Sequence, residues 1–594
     1  MQYDLKLTGG TIIDGSGAPG YRGDVGIKDG VIVALGVADG DATRTLDATG
    51  RVVCPGFVDI HTHYDAQVMW DNKLTCSPWH GVTTAVVGNC GFGIAPMRPE
   101  HRDIIMRTLE KVEGMSYEAL SAGLGEEWPF VTYPEYLDAL EARGCAINLA
   151  SVIGHSPLRL YVMGEDATER EASELELDQM QALVREAMQA GAIGFSTSMA
   201  PTHHGAGGKP VPSRLAAFSE VDALVGAMRE SGRGVLQAAQ GKRFFNKEFV
   251  ELATRHGVPI TWTALLAGMA GPGSHHRFLE VAAEHAAAGL TIVPQVACRP
   301  IMFDFHLGEP YPFEILPAFH GAMRADAAGK LAIYADAAFR EQFKRESAKD
   351  AKNVDAGWPE RAVISRYDAD PSLEERPVVE VANERGVDPV DLVLDLSIAS
   401  GLTARFRFAF LNHDQSEVRD LIQDPNTVIT LSDAGAHADQ LCDACYSTHL
   451  LGHWVREQGA LTLERAVHAL TQRPATLVGL LDRGLLALGR PADVVVFDPA
   501  TVAPAPLRRL RDLPGGAERL VADAIGVDAV IVNGQLLRHR GEDQQGPEDA
   551  LPGVLLRGGQ APGARGDAPR AKGAKAAGRP AGATVTSRTE PGPA

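Results

Sequence analysis

Eight short apolar runs recur along the middle of the chain, and several are separated by segments with helical periodicity. Residues 177–190 and 275–288 carry apolar side chains at the spacing of an amphipathic helix. Near-continuous apolar strands that alternate with helices predict a parallel sheet covered on both faces. The eight runs are GFVDIHTH, GVTTAVVGNCG, AINLASVIGHS, GAIGFSTSMA, GVLQAAQ, ITWTALLAG, TIVPQVACRP and TVITLSDAGAH. They predict an α/β fold, a (β/α)8 TIM-like barrel over about residues 56–480, with an open doubly wound sheet as the alternative.

Both ends of this region are flanked by shorter strand patterns. Residues 1–55 contain three extended runs separated by glycine-rich turns such as Lys28-Asp29-Gly30. Residues 481–544 contain further short extended runs. Neither part has enough strands to bury a core alone, so we expect one small β-sandwich domain built from both termini.

Three stretches do not fit simple strand-to-helix connections. The gaps at residues 97–145 and at about 300–420 are too long, so both are predicted insertions, the second one a lid over the carboxyl ends of the strands. Residues 545–594 are rich in Ala, Gly, Pro and basic side chains and poor in apolar bulk. We expect a disordered tail there, because so little apolar surface cannot offset the entropy of ordering.

Charge and cysteine content exclude several classes of protein. The chain has 594 residues, 45% of them hydrophobic, and a net charge of −20. Nucleic-acid binding needs a basic surface, so a small molecule is the expected partner. The seven scattered cysteines argue against a disulfide framework and favour the reducing cytoplasm. We expect no secretory signal and no membrane span, and the sequence leaves a homo-oligomer open.

The first strand of the predicted barrel ends in the sequence His61-Thr62-His63. In a strand, side chains two residues apart point to the same side. His61 and His63 can therefore aim two imidazoles at one point, as a single divalent metal requires. This pair predicts a reaction centre at the carboxyl ends of the strands, where barrel enzymes place their active sites.

The other strand ends supply further polar side chains for such a centre. Each also has a structural interpretation: Cys90 as a small core residue, Asp433 as a helix cap, His155 as a buried structural histidine. Exposed positions are expected for four histidines in polar loops: His203, His204, His275 and His276. The candidates for the site are Cys90 after strand two, His155 after strand three, Ser198 after strand four, Gln237 in strand five and Asp433 after strand eight.

Six segments, taken in order, resemble a known family. GGTIIDGSG, CPGFVDIHTHYDAQ, GVTTAVVGNCGFGIAP, GAIGFSTS, LSDAGAH and GRPADVVVFDP are similar to motifs of the amidohydrolase superfamily, and GNCGFGIAP to its N-acyl-D-amino-acid deacylase (D-aminoacylase) branch. The resemblance covers about residues 3–540 and implies a metal-bearing barrel that hydrolyses an amide bond. It implies metal ligation by His61, His63 and Cys90. It also implies that Asp433 orients and deprotonates the attacking water.

The sequence departs from this family at three places. The family places a histidine at the end of strand five and another at the end of strand six, but residues 234–242 and 260–266 contain none. It also places an arginine for the substrate carboxylate shortly after the strand-eight aspartate, where residues 442–446 have none. Arg299, on the side of the predicted lid, is our candidate replacement.

The sequence therefore predicts a hydrolase of an amide or related C–N bond in an N-acyl amino acid or similar small molecule. One Zn²⁺ is expected between His61, His63, Cys90 and Asp433, with His61, His63 and Asp433 activating water. His155, Ser198, Gln237 and Arg299 are the predicted substrate contacts. Without metal, the histidines and Asp433 would form an acid–base cluster instead. The alternatives are a cyclic-amide hydrolase and a repurposed barrel that only binds a ligand.

Overall fold

The computed structural model describes residues 2–314, 316–349, 357–546 and 549–560. Eight parallel strands form its central sheet, and neighbours in the sheet follow one another in chain order. Each apolar run predicted as a strand contains one of them, so these eight predictions are confirmed. The strands, numbered one to eight, are Phe57–Asp59, Val82–Val87, Asn148–Gly154, Gly194–Ser198, Val235–Ala239, Ile260–Thr263, Ile292–Val296 and Val428–Ile429.

This parallel sheet is buried on both faces. Every residue of strands two to seven is buried, which explains why their sequences read as continuous apolar runs rather than alternating ones. Side chains from one face, including Val58, Val86, Val152 and Val235, pack into a single cluster. The opposite face belongs to a larger core shared with the surrounding helices.

Strands one and eight stand at the two ends of the sheet order, yet the segments that directly follow them lie next to each other. Thr62 and Ala434 form a parallel bridge, and the His63 amide donates to the Ala434 carbonyl at 2.8 Å. The Ser432 hydroxyl also donates to the His61 carbonyl at 3.1 Å. The chain segments that follow strands one and eight are therefore held side by side.

Helices alternate with these strands and supply the outer layer. The predicted helices at 177–190 and 275–288 are confirmed as Glu174–Ala190 and His275–Ala287. The first begins with a capping box in which Ser173 and Glu176 satisfy each other's backbone amides. The remaining helices are Arg102–Glu113, Tyr117–Leu124, Tyr133–Arg143, His155–Met163, Phe218–Arg229, Asn246–His256, Ala327–Ala335, Ala337–Ser347, Trp358–Arg361, Val378–Arg385, Pro389–Ala399, Gln415–Gln423, Tyr446–His449, Leu450–Glu457 (a π-helix), Leu463–Leu470 and Gln472–Leu477.

A second, nine-stranded mixed sheet is built from both ends of the chain. Strand Val52–Pro55 pairs antiparallel with strand Val494–Phe497, which joins the two ends directly. A separate hairpin pairs Ala503–Leu510 with Arg519–Ile525. The other strands of the mixed sheet are Tyr3–Ile12, Tyr21–Lys28, Val31–Gly36, Ala42–Asp47, Val527–Val532, Gln535–His539 and Glu542–Asp543.

Both stretches predicted to be insertions carry their own structure. Between strands two and three lie the three helices of residues 102–143. After strand seven, an antiparallel sheet of strands Ile301–His306, Val363–Arg366 and Arg405–Leu411 packs with helices around a separate aromatic-rich core. A segment of this size with its own core can keep its shape while lying over the parallel sheet.

The prediction of a disordered tail over residues 545–594 is wrong for residues 549–560. Residues 549–560 pack on the protein: Gly553 bridges to Cys145, Leu555 bridges to Leu149, and Leu556 is fully buried. Arg557 also forms ion pairs with two acidic side chains of helix Tyr133–Arg143. The prediction failed here because two leucines in a Gly- and Pro-rich segment are enough to anchor it in the hydrophobic core. Residues 561–594 of the predicted tail lie outside the described residues.

Two further observations bear on the expected environment. All seven cysteines are buried, and none forms a disulfide in the described structure. Among the described residues, no helix has the length and apolar character needed to cross a membrane.

Candidate metal centre

Strand one carries its two histidines into the interior at the carboxyl edge of the parallel sheet. His61 and His63 are 1% and 4% exposed, and their ring centroids lie 5.3 Å apart. They lie on the same side because one residue separates them in extended chain. The bridge from Thr62 to Ala434 holds this segment against the chain that carries Asp433.

Four side chains converge at this point. His61 Nε2 lies 3.1 Å from Asp433 Oδ1 and 3.4 Å from Cys90 Sγ. His63 Nε2 lies 3.6 Å from the same oxygen of Asp433. Tetrahedral zinc, with bonds of about 2.0–2.3 Å, separates its ligand atoms by roughly 3.3–3.7 Å. The donors therefore have the chemistry and the spacing of a single-ion site.

Two of these donors are presented by unusual backbone. Cys90 and Asp433 adopt φ angles of 55° and 45°, in the left-handed region that non-glycine residues rarely enter. Gly91, next to Cys90, has φ 72°, and a Cβ there would lie 2.9 Å from the Ser198 amide. Such conformations cost about 1–3 kcal/mol each and concentrate at functional sites.

The far sides of both imidazoles are held by buried side chains. Gln295 Oε1 lies 2.5 Å from His61 Nδ1, and Glu113 Oε1 lies 3.4 Å from His63 Nδ1. An acceptor at Nδ1 keeps the proton on that nitrogen, so the lone pair of Nε2 is free to bind a metal. This is the usual arrangement behind a metal-binding histidine. Sequence reasoning missed both residues. Gln295 had a signal, a polar side chain within an apolar strand, whereas Glu113 lies in a predicted insertion with nothing to mark it.

The donors shift one another's pKa values. Burial would raise the pKa of the Cys90 thiol, but the neighbouring His61 and His63 outweigh it and lower the pKa to about 6. Burial also acts to raise the pKa of Asp433, and the same histidines hold it below its ordinary range. Thiolate and carboxylate are the forms that bind metal. Burial acts to lower the pKa of His61, but Cys90 and Asp433 in turn outweigh this effect and raise the pKa to about 9, so metal binding there would release a proton.

Strands five and six lack the histidines that the family resemblance implied, and other contacts occupy these positions. Gln237 in strand five is 2% exposed and accepts a hydrogen bond from the Cys90 amide at 2.6 Å. Its Nε2 has no hydrogen-bond partner among the described residues. In strand six, the buried Trp262 packs edge-on against Phe245. Of the two positions, only Gln237 contacts the centre.

Two predicted substrate contacts are occupied by other partners. Both ring nitrogens of His155 are engaged at 2.8 Å, by the Thr197 hydroxyl and by Glu220, which also pairs with the buried Arg159. Arg299 Nε pairs with Asp443 Oδ1 at 3.1 Å. Both nitrogens of His155 are therefore taken, and Arg299 is drawn towards Asp443, which favours a structural role for both residues. Sequence reasoning could not identify the partners because they lie 65 and 144 positions away.

Ser198 brings an unexpected histidine to the edge of the centre. Its Oγ lies 2.7 Å from His203 Nδ1, and the His203 ring packs 5.3 Å from that of Phe92. His203 is half-buried, so the expectation of an exposed loop residue is only partly met. The same expectation fails for His275, which is 2% exposed and begins a helix, whereas His204 and His276 are exposed as expected.

A cleft of about 910 Å³ has Gly435, two residues after Asp433, in its wall. It runs between the helices of the first insertion and the second insertion, and its lining includes Met115, Leu120, Phe303, Gly435 and His437. The predicted lid contributes Phe303 to this wall, whereas Phe305 is buried in the core of the insertion. The lining also carries charged side chains, among them Lys111, Arg405 and Arg509, so the cleft offers both apolar and charged contacts to a small molecule.

Known proteins are similar to this chain in sequence and in structure. A family model described as the amidohydrolase family matches residues 44–538. The chain is 31% identical to the D-aminoacylase of Alcaligenes xylosoxydans xylosoxydans over 90% of this chain and 94% of that protein. It is 30% identical to the N-acyl-D-glutamate deacylase of the same organism, over 94% and 97%.

Solved structures similar to this chain include one that contains zinc. It is N-acyl-D-glutamate deacylase from Bordetella bronchiseptica, complexed with zinc and a phosphonate inhibitor that mimics the tetrahedral intermediate of its reaction. The match has a TM-score of 0.63 and 27% identity, and it covers 94% of this chain and all of that one.

Proposed function

This chain belongs to the amidohydrolase family, and we propose that it hydrolyses the amide bond of an N-acyl amino acid at a single-zinc centre. The observation that carries the proposal is the cluster of His61, His63 and Cys90, whose ligand atoms lie within 4.8 Å of one another. Asp433 Oδ1 adds contacts of 3.1 Å and 3.6 Å to the two imidazoles. Relatives named as D-aminoacylase and N-acyl-D-glutamate deacylase direct attention to N-acyl-D-amino acids as substrates.

The arrangement of strands supports a closed barrel as the scaffold of this site. The eight strands follow in chain order, and strands one and eight are joined by the Thr62–Ala434 bridge. The Thr430 hydroxyl also reaches Asp59 of strand one at 3.4 Å. A (β/α)8 barrel explains why the outermost strands of the sheet meet and why donors from strands one, two and eight face one another.

One ion rather than two is favoured by the available donors. Gln237 and Trp262 occupy the strand-five and strand-six region where the family resemblance implied histidines. In the part of the chain that the structure describes, the cluster at this edge consists of His61, His63 and Cys90, with Asp433 at contact distance. Zinc bound there would lower the pKa of its water towards about 7 and polarise the amide carbonyl.

The residues of the chain then have separate tasks. Gln295 and Glu113 keep both Nε2 atoms aimed at the centre. Asp433 turns Oδ1 to the imidazoles, which leaves Oδ2 to accept the proton of the water that attacks the amide carbon. When the C–N bond breaks, this proton passes from Oδ2 to the leaving nitrogen. Gln237 Nε2 is placed to donate a hydrogen bond to the carbonyl oxygen.

The anchor for the substrate carboxylate differs from that of the family. Residues 442–446 contain no arginine, and Arg299 is paired with Asp443. A substrate whose carboxylate is anchored elsewhere in the cleft, or one whose carboxylate is masked, fits this arrangement. We propose a cytoplasmic location for the reaction, supported by the seven buried free cysteines.

The test combines metal analysis with a substrate panel on the full chain. After dialysis against a weak chelator, we expect about one zinc per chain and hydrolysis of at least one N-acyl-D-amino acid. Asp433→Asn should lower kcat by at least about a hundredfold, as loss of a general base does. His320→Gln, an exposed histidine in the insertion, is the control.

Each alternative predicts a different result. Activity confined to cyclic amides would replace the proposed substrate class. Ligand binding without turnover, together with no retained zinc, would indicate a repurposed barrel. Full activity in Asp433→Asn would contradict the assigned site.

A further inference from the structure

Outside the proposed active centre, a second group of potential metal ligands lies between two helices. His275 and His276 open the helix His275–Ala287, and Asp420 lies on the helix Gln415–Gln423. The nitrogen and oxygen donors of these three residues all lie within 4.8 Å of one another. His275 Nε2 and Asp420 Oδ2 form a hydrogen bond of 3.2 Å, and this separation is also close to that of two ligands on one zinc ion.

The buried histidine of this group has the surroundings of a metal ligand. His275 is 2% exposed, and its Nδ1 has no hydrogen-bond partner among the described residues. That nitrogen faces Glu417 Oε2 at 3.4 Å. Glu417 is itself fixed, because its two carboxylate oxygens accept hydrogen bonds from the Gly268 and Gly273 amides. A carboxylate behind a histidine that presents its other nitrogen outward is a recurring support for metal-binding histidines.

The remaining ligands complete an open, solvent-facing site. His276 and Asp420 are both exposed, so an ion could reach them without any rearrangement of the core. Glu417 and Asp420 are three positions apart on one helix and therefore project from the same face. Two imidazoles and a carboxylate suit zinc or another borderline divalent transition metal, with water filling the remaining coordination.

We propose that His275, His276 and Asp420 form a second, peripheral binding site for a divalent transition-metal ion of the zinc class. The ion would join the helix that follows strand six to the helix that follows the second insertion. The loop between strand six and the first of these helices, residues 264–274, would be clamped by the same site, because Glu417 holds both Gly268 and Gly273. The function of such an ion is to stiffen the rim of the parallel sheet beside the insertion.

The probe is zinc itself, titrated into the metal-stripped full-length protein by calorimetry and by competition with a chromophoric chelator. We expect two classes of site. His276→Gln and Asp420→Asn should each weaken only the weaker class, by at least tenfold, whereas His61→Ala should remove the tighter class and leave the weaker one. His320→Gln should leave both classes unchanged.

A second readout guards against variants that fail to fold. The melting temperature of each metal-stripped variant should match that of the stripped wild type, and zinc should raise the melting temperature of His61→Ala but not of the double variant His61→Ala/His276→Gln. A single class of zinc site in the wild type, or wild-type affinities for both classes in His276→Gln and Asp420→Asn, would overturn the proposal.

Discussion

The variant Glu113→Gln tests whether the buried carboxyl group behind His63 supports metal binding. Glu113 is 3% exposed, and Oε1 lies 3.4 Å from His63 Nδ1. Loss of such a partner typically weakens metal binding by about 10–100-fold, or about 1.4–2.7 kcal/mol. The contact is longer than the 3.2 Å or so of a good hydrogen bond, and glutamine still offers an acceptor oxygen. We therefore expect about a tenfold weakening for Glu113→Gln.

The structure also predicts that Gln295→Leu weakens zinc binding more than Glu113→Gln does. Gln295 contacts His61 Nδ1 at 2.5 Å, a much closer contact. Gln295→Leu removes the acceptor altogether, so it should weaken zinc binding by about a hundredfold, the upper end of that range. The assay is the dissociation constant of the tighter zinc class, measured by competition with a chromophoric chelator. Saturating zinc should restore much of the activity of both variants, since the ligands themselves remain.

Glu118→Gln is the matched control, because Glu118 is an exposed glutamate in the next helix. The reasoning is refuted if Glu113→Gln binds zinc as tightly as the wild type. It is also refuted if Glu118→Gln weakens zinc binding to the same degree, since the effect would then reflect the overall charge of the protein rather than contact with His63.

Three further predictions address ligation, acid stability and the C-terminal segment. Cys90→Ser replaces a ligand rather than its support, so it should weaken zinc binding by more than about a hundredfold in the same competition assay. A smaller loss of zinc affinity than that of Glu113→Gln would exclude ligation by the thiolate. Burial lowers the pKa of His80 to about 4, against about 6.5 for a free histidine, so stability held above pH 6.5 is lost as the pH falls towards 4. This loss amounts to about 3 kcal/mol, and urea unfolding at pH 7 and pH 4 should show it in the wild type and in His320→Gln but much less in His80→Gln. Leu556 is fully buried whereas Leu488 is 65% exposed, so Leu556→Ala should lower the free energy of unfolding by about 3 kcal/mol and Leu488→Ala should change it little; equal effects would show that residues 549–560 do not stabilise the fold.

The chemistry of the centre was predictable where donors follow directly from strand ends. His61 and His63 are two residues apart in an extended segment, so their common direction is a property of the local chain. Cys90 and Asp433 could be named because each follows an apolar strand, and the carboxyl ends of parallel strands meet at one edge. Their convergence to within 3.6 Å of the histidines is what the tertiary structure adds.

Other contacts could not be predicted because the partner is distant in sequence. His155 and Arg299 were expected to contact substrate, yet Glu220 and Asp443 engage them across 65 and 144 positions. His203 and His275 were expected to be exposed because their neighbours in sequence are polar. Burial of a single side chain depends on which element packs over it, and that information is absent from the local pattern.

The sequence by itself determined the eight apolar strands and the common direction of the two histidines of strand one, because each follows from periodicity over a few residues. Only the tertiary structure decided what stands behind those histidines. Glu113 and Gln295 come from a helix of an insertion and from strand seven, and neither is adjacent to His61 or His63 along the chain. The physical reason is that strand periodicity is a short-range property, whereas the orientation and charge of a metal ligand depend on long-range contacts that exist only after the chain has folded.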